Sequence, residues 1–128
     1  MKRKYNKDVH YVCKLTGIKK IEKVYGKLKN YDVVLTDERK QHILDRRKND
    51  GLDVILNLKD SIENYDYLLD AGDKAVKYIK INKYKNYAYI VKLSLFDSSK
   101  ANSVISGMIV NGKKIKKYIL STKIIDEK

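Results

Sequence analysis

The stretch AVKYIKINKYKNYAYIVKLSLF, residues 75–96, decides the fold class that the sequence predicts. It holds two runs rich in strand-forming residues, Ala75–Ile81 and Tyr87–Phe96, joined by a short polar link. A third run, Ser103–Val110, follows after residues 97–102. Because consecutive strands with short links make an antiparallel meander rather than βαβ units, the second half of the chain is expected to form an antiparallel sheet.

Two more segments extend this sheet in the prediction. Asn111 and Gly112 form the strongest short hairpin signal in the chain, and they predict a strand over Lys113–Leu120. Tyr67–Leu69 is also expected to be extended, before a turn at residues 71–73. The predicted sheet is therefore curved and has four to five antiparallel strands.

The first half of the chain combines a strand with helices. Val9–Leu15 is rich in strand formers, and Ile18–Tyr25 places its apolar residues at helical spacing. Val33–Leu35 is a brief apolar strand or an extended entry to the next helix. Asp53–Glu63 carries a single apolar stripe and is predicted to be a helix. The fold class is therefore α+β, with an N-terminal strand and helices followed by the antiparallel sheet.

One helix has a clear start. Thr36 is a good N-cap, and the acidic residues Asp37 and Glu38 lie in the first turn, where the helix dipole favours negative charge. This helix is predicted to run to about Lys48. No linker or repeat interrupts the chain, so we expect one domain over residues 1–128, with a flexible stretch at residues 1–8 and a core at about 9–120.

The composition indicates a polyanionic partner. The chain has 29 Lys and Arg against 16 Asp and Glu, a net charge of +13. Such a charge attracts nucleic acid, and RNA is the partner that we expect. The alternative is compositional bias, because the abundant Lys, Ile, Asn and Tyr are also what an AT-rich genome encodes. No run of about 18 apolar residues is present, so no membrane span is expected.

The cysteine and histidine content limits the possible chemistry. Cys13 is the one cysteine, so an internal disulfide is excluded and a reducing, cytoplasmic setting is expected; its strand position predicts a buried apolar role. His10 is expected to be structural. With two histidines in the chain, no metal site is expected, and no Gly-rich phosphate loop is present. Any catalysis is therefore expected to be acid/base chemistry without a metal or cofactor.

The most specific cluster lies on the helix that begins at Asp37. At 100° per residue, Arg39, His42, Ile43 and Arg46 share about one third of the helix circumference. Arginines can hold a phosphate in a bidentate manner, and a histidine beside them can move a proton. The alternative is a solvated basic face without chemistry.

Two lysine-rich segments are further candidates for RNA contacts. Three tyrosines, Tyr84, Tyr87 and Tyr89, alternate with the lysines Lys80, Lys83, Lys85 and Lys92. This pattern suits base stacking beside phosphates, but tyrosine is equally a good strand residue. After Gly112, Lys114 and Lys116 are expected on the exposed face of a strand. This edge is either an RNA-binding rim or a strand that lysines protect from aggregation.

The order of these motifs resembles a known family. Residues 33–39 leading into residues 42–46, the segment at residues 62–69, and the segment at residues 102–106 resemble the phage-associated branch of the barnase–EndoU–colicin–RelE-like nuclease fold. The resemblance spans about Val9 to Leu120. The family's helix commonly ends in a second histidine, where this chain has Arg47, and the proline expected before Asp66 is Tyr65.

The resemblance implies a metal-independent ribonuclease of phage or mobile-element origin. One role that it implies is that of a toxin restrained by an acidic antitoxin or immunity protein. His42 is the implied general acid or base, and Arg46 and Arg39 hold the scissile phosphate. Ser106 donates a hydrogen bond to a phosphate oxygen. Lys80 is implied to lie beside Ser106. Arg47, Lys114 and Lys116 are the other predicted RNA contacts. A member of the fold that has lost catalysis but still binds RNA or serves in phage assembly is the alternative.

Overall fold

The structure of this chain is a computed structural model that describes residues 5–95 and 101–128. The strands are β1 (Val9–Lys14), β2 (Asp32–Thr36), β3 (Tyr67–Gly72), β4 (Ala75–Asn82), β5 (Tyr87–Ser94), β6 (Asn102–Asn111) and β7 (Ile124–Glu127). The helices are α1 (Ile18–Tyr25), α2 (Asp37–Arg46), α3 (Gly51–Leu56), α4 (Leu58–Glu63) and α5 (Gly112–Leu120). The predicted α+β class is confirmed.

The sheet is larger than predicted and is mixed. Its order is β1-β2-β6-β5-β4-β3-β7 in the described residues, so the expected four to five strands are seven. The β6-β5-β4-β3 meander is antiparallel, as predicted. However, β2 pairs with β6 in parallel, through Val33 with Asn102 and Val34 with Ser103. The sheet has more strands than predicted because β1 and β2 join one side of the meander and β7 joins the other.

The predicted hairpin at Asn111 and Gly112 is wrong. Asn111 instead caps α5, because its Oδ1 accepts a hydrogen bond of 2.9 Å from the backbone N–H of Lys113. Ile115 and Ile119, four residues apart, then lie on one side of the helix and pack against the sheet. Residues 113–120 are therefore helical and not a strand.

The helix boundaries differ from the predictions at two places. Thr36 does cap α2, accepting from the backbone N–H of Arg39 at 3.2 Å, but α2 ends at Arg46 rather than Lys48. The single helix predicted over Asp53–Glu63 divides into α3 and α4 at Asn57. The Asn57 side chain donates to the carbonyl oxygen and to Oδ1 of Asp53, both at 2.8 Å, and such local bonds compete with regular helix bonding.

Two apolar clusters lie on opposite faces of the sheet. On the first face, Tyr78, Val91 and Leu93 pack with residues of α1–α4. On the second face, Ile79, Ala88 and Ile90 pack with Ile115 of α5. We use "first face" and "second face" in this sense below. No helix in the described ranges is long and apolar enough to cross a membrane.

Two residues of β1 can be compared with their predicted roles. Cys13 is buried as predicted, and desolvation raises the pKa of its thiol to about 11, so it is poorly suited to be a nucleophile. His10 is exposed rather than packed in the core, and its Nε2 lies 2.5 Å from Oδ1 of Asp37. Residues 1–4 of the predicted flexible terminus lie outside the described residues, and Tyr5 donates to Oδ2 of Asp32 at 2.5 Å.

Candidate nucleic-acid interface

Three polar side chains form a row across the second face of the sheet. In the strand register, Lys77 of β4 lies opposite Lys92 of β5, and Lys92 lies opposite Ser106 of β6. Directly opposed residues of antiparallel strands project on the same side, with Cβ atoms about 4.5–5.5 Å apart. All three residues are partly exposed. We call Lys77, Lys92 and Ser106 the polar row.

A β-bulge brings Ser106 to this face. Period-two alternation predicts that Ser103 and Ser106 lie on opposite faces, and that prediction is wrong. Leu93 pairs with Val104 but Lys92 pairs with Ser106, so Ile105 is an extra residue in β6. Ser103 is opposite Ser94, two residues from Lys92, which places both serines of β6 on the second face. The polar row therefore has the hydroxyl group of the partly exposed Ser94 beside it, whereas Ser103 is buried.

The polar row is electrostatically unusual for a sheet. Like charges directly opposite each other, as at Lys77 and Lys92, destabilise strand pairing. Among the described residues, none of their cross-strand neighbours on this face is acidic. Lys77 is held in part by Tyr118 of α5: its Nζ lies 3.4 Å from the phenolic oxygen and 4.8 Å from the ring centroid. Two ammonium groups with neighbouring hydroxyls form a surface that an anion would stabilise.

The α2 helix lies beside the strand that carries Ser106. It follows β2 directly and packs against β6, and Nη2 of Arg47 donates to Sδ of Met108 at 3.5 Å. Only Ile43 of the ten α2 residues, all of them described, is buried. His42 and Arg46 are exposed and Arg39 is partly exposed. In the part of the chain that the structure describes, these three side chains make no hydrogen bond or ion pair with one another or with other residues.

The other predicted RNA-contacting lysines divide between the two faces. Lys114 and Lys116 are exposed on α5, which covers the second face, so they lie on the same side of the sheet as the polar row. Lys80 lies opposite Tyr89 on the first face. It lines a separate cleft of about 390 Å³ that also contains Asp60 and Asp66. The structure therefore does not bring Lys80 to Ser106, and the predicted grouping of the two is wrong.

The tyrosines proposed for stacking are in different environments. Tyr84 is fully exposed in the turn between β4 and β5. Tyr89 is buried, donates to Oδ1 of Asp53 at 2.8 Å, and packs edge-on against Tyr87. Burial, together with the hydrogen bonds to Tyr87 and Asp53, raises the pKa of the Tyr89 hydroxyl well above its usual range. Tyr89 therefore serves the packing of the first face and is not available to a base.

The sequence prediction named Lys92 among the lysines beside the tyrosines but did not include Lys77 or the pairing of the two. A signal for them was present, because Lys92 interrupts the apolar run from Tyr89 to Leu93 and Lys77 alternates with Val76 and Tyr78. Their pairing across two strands depends on the register, which alternation alone does not fix. Within the described ranges, no group of three or more His, Cys, Asp or Glu side chains is arranged to hold a metal ion.

Comparisons with known proteins return no relative. No protein-family model, curated protein or solved structure matches the chain.

Proposed function

We propose that this protein binds single-stranded RNA on the second face of its sheet. The observation that carries the proposal is the directly opposed pair Lys77 and Lys92 with Ser106 as the next residue in the row. A phosphate bound here offsets the repulsion between the two ammonium groups and accepts a hydrogen bond from the Ser106 hydroxyl. The exposed lysines of α5, among them Lys114 and Lys116, add positive charge on the same side.

Binding of this kind must weaken with salt. For single strands, the logarithm of affinity falls with the logarithm of salt concentration at a slope of about −0.7 per contacted phosphate. About three contacted phosphates give a loss of roughly 20-fold between about 50 and 200 mM salt. Fluorescence anisotropy with a labelled oligoribonucleotide measures this slope. Lysines that merely reflect composition predict no binding even at the lower salt concentration, and that result would contradict the proposal.

Metal-independent RNA cleavage is a second candidate. It is favoured by His42, which is exposed, has no hydrogen bond or ion pair within residues 5–95 and 101–128, and lies on a helix that packs against β6. In this reaction His42 takes the proton of a ribose 2′-hydroxyl, whose oxygen attacks the adjacent phosphorus. The bond from phosphorus to the 5′-oxygen breaks, the 5′-oxygen takes a proton from water, and a 2′,3′-cyclic phosphate remains. Arg46 and Arg39 stabilise the charge on the phosphate. Ser106 is not part of this candidate, because it lies on the second face whereas α2 packs on the first face through Ile43. This candidate also proposes a phage or mobile-element toxin in the cytoplasm, with an acidic protein as its inhibitor.

The two histidines provide a matched test of cleavage. With EDTA present, the wild-type protein is expected to cut total RNA, and His42→Ala is expected to lower the rate by about 100-fold or more, the scale of general acid–base catalysis. His10→Ala is the control, because His10 lies on the edge strand β1 and its ring is paired with Asp37 in the first turn of α2. Gel electrophoresis of the products measures the rate. Cleavage by His42→Ala at the wild-type rate contradicts the assignment, whereas binding without products leaves RNA binding as the function.

A further inference from the structure

A cavity of about 250 Å³ opens on the second face between α5 and the β4–β5 hairpin. Its apolar lining comes from Tyr67 of β3, Ile81 of β4, and Ile115 and Ile119 of α5. Tyr67, Ile81 and Ile119 are only partly buried, so they present apolar surface to a ligand. Clefts that take drug-sized ligands span roughly 300–1,000 Å³, so this cavity suits a smaller, flat group.

One wall of the cavity is formed by a close backbone approach. The backbone N–H of Gly112 donates to the carbonyl oxygen of Asn86 at 2.9 Å. A Cβ at Gly112 would clash with Oδ1 of Asn86, so residues other than glycine do not fit without displacing that side chain. The start of α5 is therefore held against the hairpin turn, and this contact keeps the cavity between them in shape.

The rim of the cavity is cationic. Lys83 and Lys116 line it together with the amide side chains of Asn82 and Asn86, and no carboxylate is among its described lining residues. An apolar interior with cations at the rim fits a flat, weakly polar group that is attached to an anion. A nucleobase with its ribose phosphates has this chemistry.

We propose that the cavity binds one unpaired nucleobase of an RNA strand whose phosphates lie on Lys83 and Lys116. The inference rests on the proposed RNA binding and deepens it, because the cavity and the polar row lie on the same face of the sheet. The base packs against Tyr67 and the two isoleucines of α5, and the strand continues toward Lys77 and Lys92. The protein then contacts bases as well as phosphates, although a cavity lined this way discriminates little between base types.

The test compares two oligomers of equal charge. One is a hexamer of uridylate, and the other is an abasic ribose-phosphate hexamer of the same length. The wild-type protein is expected to bind the hexauridylate about tenfold more tightly, since the stacking of a base on an aromatic side chain gives gains of that order. Ile119→Trp fills the cavity and is expected to reduce the difference to less than about twofold. Leu120→Trp is the matched control, because the adjacent Leu120 is exposed on the outer side of α5.

Three results would contradict the cavity assignment. Equal binding of the two hexamers by the wild-type protein overturns the cavity assignment while leaving phosphate binding intact. A tenfold preference for hexauridylate over the abasic hexamer that persists in Ile119→Trp also overturns the cavity assignment. If neither hexamer binds at low salt, the proposed function itself fails, and the inference fails with it. A second measurement uses only the wild-type protein and so does not depend on the folding of the variant. Hexauridylate, but not the abasic hexamer, is expected to shift the amide NMR signals of Ile81, Asn86 and Ile119.

Discussion

The substitution Lys92→Glu is expected to lower the affinity for single-stranded RNA by about tenfold to 100-fold while leaving the protein at least as stable. The loss follows because a hydrogen bond to a charged group contributes about 1.5–3 kcal/mol, and the new carboxylate also repels phosphate. Lys92 lies between Lys77 and Ser106 in the polar row, so its replacement affects the whole row.

The expected gain in stability has the same geometric origin. In the wild-type protein Lys92 is directly opposite Lys77, and this like-charge pair weakens the pairing of β4 with β5. A glutamate at this position instead forms an attractive cross-strand pair with Lys77, which contributes about 0.2–1 kcal/mol. The free energy of unfolding in urea and the RNA affinity are therefore expected to change in opposite directions.

Lys23→Glu is the matched control for this prediction. It makes the same change in net charge on an exposed residue of α1, which packs on the first face. If RNA recognises the second face, Lys23→Glu lowers the affinity only about twofold, through the general loss of charge. Equal losses from both substitutions would show that RNA responds to the total charge of the protein and not to the polar row.

The sequence predicted the meander of β3 to β6 because each strand is an apolar run bounded by turn residues. It predicted α2 equally well, since Thr36 and the acidic first turn are local signals. The mixed sheet could not be predicted in this way. The parallel pairing of β2 with β6 joins residues about 70 positions apart, and no local pattern specifies which distant strand becomes a neighbour.

The same difference between local and long-range patterns explains which parts of the site could be predicted. The alignment of Arg39, His42 and Arg46 follows from helix geometry alone, and α2 carries it as predicted. The position of Ser106 depends on one extra residue, Ile105, which reverses the alternation along β6. The hairpin signal at Asn111 failed for a third reason. Asparagine favours a helix N-cap as well as a turn, and the apolar spacing after it determines which of the two forms.

The substitution Ile43→Ala is expected to lower the free energy of unfolding by about 2–5 kcal/mol, the range for truncating a large buried aliphatic side chain to alanine. Ile43 is 2% exposed and belongs to the core cluster of the first face. It is also the residue through which α2 is anchored, because the other nine residues of that helix, all described, are not buried. Urea denaturation followed by circular dichroism measures the loss.

Leu56→Ala is the control for this substitution. Leu56 is another aliphatic helix residue, but it is 73% exposed, so its truncation is expected to change the free energy of unfolding by less than about 0.5 kcal/mol. Amide hydrogen exchange in Ile43→Ala is expected to accelerate first in α2, because polar contacts such as Thr36 capping, the His10–Asp37 pair and the contact of Arg47 with Met108 then hold it without a buried side chain. A loss below about 1 kcal/mol would contradict the anchoring role. If the larger loss is found, the basic face of α2 owes its position beside β6 to one apolar side chain, and any chemistry at His42 depends on that side chain as well.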